Sequence, residues 1–154
     1  RQSVITNPGP IASLFDDLPT TWTVWRVSCG ASCCIPSQRQ TGIGLSSDRR
    51  AELDLRHVPR MLERLLTLDP RPLTLALPPE RKLVGNCPDS AVLLCAMLRH
   101  RGRPARARAD FATHFEPSFH GDHWVCEVWR DDERDGRTTS TRRFTAGLGS
   151  DEAA

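Results

Sequence analysis

The sequence has almost no lysine. Of its 21 basic residues only Lys82 is lysine, and the rest are arginine. With many Ala, Pro and Gly, that bias points to a GC-rich coding sequence. No stretch comes near the roughly 18 consecutive apolar residues of a membrane span, so no membrane partner is expected. No basic start followed by an apolar run marks a signal peptide. The expected location is therefore the cytoplasm, although the chain opens on Arg1, as a fragment would. A net charge of +2 is too small to make nucleic acid a partner. No Cys-x-x-Cys pair occurs among Cys29, Cys33, Cys34, Cys87, Cys95 and Cys126, which argues against a zinc ribbon or finger. Without a secretion signal the six cysteines do not read as a disulfide framework. Neither a cofactor nor a metal is expected.

What is present suits one compact domain: 154 residues, 38% of them hydrophobic. Three zones differ in pattern. Residues 1–45 form a poorly defined segment with four prolines, three cysteines and little periodicity, apart from a short helix over 11–17. Residues 46–130 look like an ordinary folded core. Residues 131–154 form an irregular, polar tail with too little apolar content for an element of its own.

In the core, Val58, Met61, Leu62, Leu65 and Leu66 recur at helical spacing, with Pro59 in the first turn and Asp69-Pro70 as the stop. Residues 70–83 are proline-rich and read as an extended connection. A second helix starts at Cys87, with Asn86 as cap, Pro88 in the first turn and Asp89 at the positive end of the dipole. Ala91, Leu94, Cys95 and Leu98 fall on one stripe, and Gly102 ends the helix. Residues 106–114 alternate at period 2, and residues 123–129 are rich in β-branched and aromatic residues. A loop over 115–122 joins these two strands. The order of elements implies an α+β fold, with a nucleophile-bearing helix packed on an antiparallel sheet.

A cysteine at a helix N-terminus is favoured as thiolate by the dipole and the free N–H groups. A histidine on a neighbouring strand can take its proton. Cys87 and His123 suit those roles, with backbone N–H groups at Asn86 and Cys87 available to an oxyanion. The plain alternative is an inert buried cysteine and a structural histidine. Cys95 lies on the apolar stripe and reads as core. Cys126 is three residues from His123, so alternation puts the two on opposite faces. His114 and His120 read as solvent-facing, and the acidic run over 131–135 as a solvated face.

The local strings are more specific than the spacing. Gly85-Asn86-Cys87-Pro88-Asp89 opening the helix, and Asp122-His123-Trp124 on the strand, closely resemble the transglutaminase-like superfamily in its bacterial branch. The resemblance covers about residues 46–130. It implies a papain-like core and a Cys–His–Asp triad, with Cys87 as nucleophile and His123 as base. Pro88 stands where such relatives often carry arginine. It also implies a peptide or other amide-containing substrate.

The third triad residue of that family lies in a string such as Val-Asp-Ala-Gln on the next strand, and no such string exists here. Thr139–Arg143 can be encoded ACG TCG ACG CGC AGG, which in a shifted frame reads Val-Asp-Ala-Gln. Ser28–Pro36 can likewise be encoded so that another frame reads Val-Arg-Gly-Leu-Leu-Leu-His-Pro. The expectation is a family core that is incomplete, frameshifted or truncated at both ends, and an impaired thiol hydrolase or acyltransferase. The rival reading is a non-catalytic remnant or binding domain of the same fold.

Overall fold

In a computed structural model, the structure describes residues 3–18, 34–35, 45–116, 119–130 and 140–144. A 3₁₀ helix runs over Gly9–Phe15. It is followed by β1 (Cys34–Ile35), α1 (Ser47–Arg50), a 3₁₀ turn (Ala51–Asp54) and α2 (Val58–Leu68). A further 3₁₀ turn (Pro79–Arg81), β2 (Leu83–Val84) and α3 (Cys87–His100) lead into β3 (Ala105–Glu116), β4 (Phe119–Arg130) and β5 (Ser140–Phe144). The architecture is α+β. β3, β4 and β5 form an antiparallel sheet in that order, and β1 pairs with β2 in parallel.

α2 forms because its apolar residues share one stripe. Val58, Met61, Leu62 and Leu65 are buried, Pro59 occupies the first turn, and Asp69 leaves the helix in an extended conformation. α3 is apolar nearly all round: residues 93–98 are all buried. It is the central element, with β3 and β4 on one side and α2 and the Gly9–Phe15 turn against the rest. Each fully buried Leu contributes about 1.5–3 kcal/mol of hydrophobic stabilisation, so Leu93, Leu94 and Leu98 hold the molecule together. Gly102 ends α3 at φ 75°, a left-handed conformation that suits glycine.

Within residues 3–18, Phe15 and Leu18 join the core cluster. Polar groups of the same stretch dock on the C-terminal end of α3. His100 Nε2 lies 2.6 Å from Asp16 Oδ1, Arg101 Nη1 donates to Asp16 O at 3.0 Å, and Arg99 Nη1 donates to Thr6 Oγ1 at 3.0 Å. The expected helix over 11–17 is a 3₁₀ helix that starts earlier, at Gly9. At the other end, β5 is a strand inside the stretch read as an irregular tail, pairing with β4 from Cys126–Phe144 to Arg130–Ser140. β-pairing recruits residues whose own sequence gives little strand signal, because the ladder supplies backbone hydrogen bonds along the exposed edge of β4. The expected loop over 115–122 is shorter than read, since both strands extend into it.

The connection after α2 is held by one buried carboxylate. Asp69 accepts the backbone N–H, Nε and Nη2 of Arg71 at 2.8–3.1 Å, and Nη1 of Arg81 at 3.3 Å. These bonds, Arg71's foremost, keep its carboxyl well below the usual range.

Candidate active site

Cys87 is the first residue of α3, with Asn86 as its extended N-cap. The Asn86 N–H donates to Asp89 Oδ2 at 2.8 Å, and Arg56 Nη1 reaches Asp89 Oδ1 at 3.4 Å. The lead-in is fixed from below. Buried Glu52 accepts the Val84 N–H at 2.8 Å and Arg64 Nε at 2.8 Å, and pairs with Arg49 at 3.3 Å. Arg49 also donates to the carbonyls of Glu80 and Lys82. Together these contacts pin β2, and with it the turn that delivers the thiol.

The backbone N–H of Trp124 on β4 lies near enough to the Cys87 thiol to favour its charged form. β3 already flanks this stretch of β4, pairing Ala109 with Trp124 and Asp110 with His123. Among the described residues β5 pairs with β4 only from Cys126 onward. The thiol therefore lies against the flank of β4 that β5 leaves open. Trp124 N is bonded to the His123 carbonyl carbon, so the thiol meets β4 at the peptide that follows His123. His123 itself is only 6% exposed.

Alternation sorts β4 into two faces. Cys126 hydrogen-bonds Cys95 on α3, so Cys126 faces the core helix. His123, Val125 and Glu127 belong to the other face. Glu127 is buried there between two cross-strand arginines, accepting Arg106 Nε at 2.6 Å and Arg108 Nη1 at 2.9 Å.

The helix start does not make Cys87 a ready thiolate. Burial pushes its thiol above the ordinary value, and the charges of Asp122 and Asp89 push the same way. The N–H groups of Trp124 and of Cys87 itself pull down, but less.

The site residues read from the sequence fall unevenly. Asn86 and Cys87 stand at the start of α3, and the thiol meets β4 beside His123. β5, the strand after β4, carries Ser140, Thr141, Arg142, Arg143 and Phe144, and thus no carboxylate. The acidic residues at 131, 132 and 135 lie outside the described residues, as do Cys29 and Cys33 and the side chains at 114 and 120. The Trp124 amide, Asp122 and Asp110 were not legible as site groups. A backbone donor has no residue signature, and Asp110 is recognisable only once the register is known. Among the described residues no group of three or more His, Cys, Asp or Glu side chains converges on one point. No helix of the described residues is long and apolar enough to cross a membrane. The cleft of about 460 Å³ lined by Pro104, Ala105, Arg106, Glu127 and Trp129 lies at the far end of the β3–β4 ladder from Cys87.

Residues 69–134 match the family model of the transglutaminase-like superfamily. The matched segment takes in α3, β3 and β4, so the chain carries a transglutaminase-like segment over those residues. No curated protein and no solved structure matches the chain.

Proposed function

We propose that this domain is a thiol enzyme of papain-like arrangement, acting on amide or peptide bonds with Cys87 as nucleophile and His123 as base. The observation that carries this reading is the approach of the Cys87 thiol to the Trp124 N–H, beside the peptide joining His123 and Trp124. Because burial keeps the thiol protonated, His123, whose side chain leaves β4 on the face away from α3, acts as a general base by reaching the sulfur round the open edge of β4 at the moment of attack. The S–H proton passes to the imidazole as sulfur bonds the substrate carbonyl carbon. The oxyanion is met by backbone N–H at the start of α3, where Pro88 offers none and Cys87 offers one. Collapse of the tetrahedral species breaks the C–N bond. The departing amine takes the proton from His123 and leaves a thioester on Cys87. Water or a second amine then resolves the thioester, giving hydrolysis or acyl transfer, and the thiol is regenerated.

The test is acylation by p-nitrophenyl acetate, followed by p-nitrophenol release and intact mass. A burst with one acetyl group on Cys87 is expected. Cys87→Ser should abolish it, and His123→Ala should slow it by about 10²–10⁴-fold. Acetylation that is equally fast in His123→Ala removes the base from the reading.

The elevated thiol favours a second reading, a non-catalytic domain of the same fold that binds peptide-like partners. The absence of Val-Asp-Ala-Gln from the sequence supports it, together with the proposal that this string lies in another reading frame. Sequencing the coding DNA across codons 131–154 tests the frame. Absence of any Cys87 acylation selects the second reading.

A further inference from the structure

The family string for an orienting carboxylate is missing, and β5 offers none, yet a carboxylate stands beside His123 on the preceding strand. Asp110 is directly opposite His123 in the antiparallel β3–β4 ladder. Directly opposed residues share a sheet face, with Cβ atoms about 4.5–5.5 Å apart. The neighbouring rungs show that this face brings side chains together. Arg106, opposite Glu127, donates to it at 2.6 Å, and Arg108, opposite Val125, reaches the same carboxylate at 2.9 Å. Asp110 is half-buried and His123 buried. Asp110 Oδ1 accepts the N–H of Phe111 at 2.9 Å. The next paired rungs, Phe111–Asp122 and Ala112–Gly121, precede a register shift, so the pair sits on regular ladder just short of an irregularity.

We propose that Asp110 is the positioning residue for His123: its carboxylate accepts an imidazole N–H, selects the tautomer, and stabilises the imidazolium formed when Cys87 attacks. This rests on the thiol-enzyme reading given above. It differs from that family's arrangement in taking the carboxylate from the strand before the histidine rather than from the one after. Among the described residues, the charged and titratable groups near His123 include Asp110 and Arg108 on β3, Glu127 and Asp122 on β4, and Cys87 on α3. Asp110 is the one directly across from the imidazole. Arg108 is already engaged by Glu127, and Asp122 points to the other face.

The experiment compares wild type with Asp110→Asn, Asp110→Ala and Asp110→Glu, after circular dichroism has shown each to be folded. The first readout is the imidazole ¹⁵N–¹H spectrum of His123 against pH, assigned with His123→Ala. Asp110→Asn should lower the His123 pKa by roughly one unit or more, because the carboxylate favours the charged ring, and should alter the tautomer balance. The second readout is the rate of Cys87 acylation by p-nitrophenyl acetate. It should fall at least about tenfold in Asp110→Asn and Asp110→Ala, the ceiling being the order of 10⁴ known for a serine triad, with partial recovery in Asp110→Glu. If His123 titrates identically in wild type and Asp110→Asn, with the same tautomer, the proposal is overturned even where Cys87 and His123 prove essential. If wild type shows no acylation, the thiol-enzyme reading fails, and the imidazole spectrum still decides whether Asp110 orients the ring.

Discussion

The backbone N–H of Trp124 stands close to the thiol of Cys87, so the first residue of a helix meets the middle of a strand. The contact pulls the thiol's pKa down, but burial pushes it up by more, so the thiol stays above its ordinary value.

The first prediction follows from that balance. Burial and the charges of Asp122 and Asp89 raise the Cys87 pKa. Iodoacetamide should therefore label Cys87 slowly at neutral pH, with a rate rising about tenfold per pH unit until the raised pKa is passed. Asp122→Asn removes a negative charge, lowers that pKa and speeds labelling at pH 8. The same shift has a stability sign. A folded-state pKa above the unfolded one contributes stability below the ordinary thiol range and loses it as pH rises through the folded pKa. Labelling of Cys87 as fast as a free thiol at pH 7 contradicts this.

Acid should weaken the sheet through Glu127. Burial alone raises this carboxyl, but Arg106 and Arg108 outweigh it and hold it below its ordinary value. A depressed folded pKa contributes stability above the unfolded value near 4.5 and loses it as pH falls through the folded one. Both arginines are substantially exposed, so screening limits the effect. Glu127→Gln should cost about 1 kcal/mol at pH 7 and almost nothing at pH 3, read as urea midpoints at the two values.

Phe15→Ala should cost about 3–5 kcal/mol. Phe15 is fully buried and packs edge-on against His100, with ring centroids 5.7 Å apart. A thermal melt unchanged by this substitution shows that the N-terminal stretch contributes nothing to the fold.

Glu52→Ala should cost about 1–3 kcal/mol, because it strands the Val84 N–H and removes the partner of Arg64. Its effect should extend to Cys87, since β2 leads directly into the turn before α3. Faster Cys87 labelling, along with a lower urea midpoint, is the expected pair of results.

How much of this was legible depended on whether the information was local. α2 and α3 are written in their own residues: an apolar stripe, a proline in the first turn, a cap, and a glycine stop. Both helices form where the pattern puts them, over Val58–Leu68 and Cys87–His100. The β3 and β4 strands were legible from alternation, though not their full length, which is set by mutual pairing. β5 was invisible because Ser140–Phe144 carries no strand pattern and owes its conformation to the edge of β4. The docking of Phe15 was hidden for a similar reason: nothing in residues 1–18 announces that the far end of α3 waits for them. At the candidate site, Cys87 and His123 had residue types that signal chemistry. Asp110 had none until the ladder register put it opposite the histidine. The expected fall in the Cys87 pKa failed on magnitude, as the cost of removing the thiol from water exceeds what two N–H donors return.

The central position of α3 has a further consequence for how the chain folds in time. Its heaviest packing is with β3 and β4, which follow it immediately in sequence. Residues 87–130 can therefore close on one another through short loops, at little entropic cost. The N-terminal stretch must cross more than 80 residues of chain to dock at the same helix, as Asp16 does with His100. A folding nucleus in the helix–hairpin segment follows, with the N-terminal dock added late. Substitutions at Leu98 should then slow refolding, while those at Phe15 should chiefly speed unfolding.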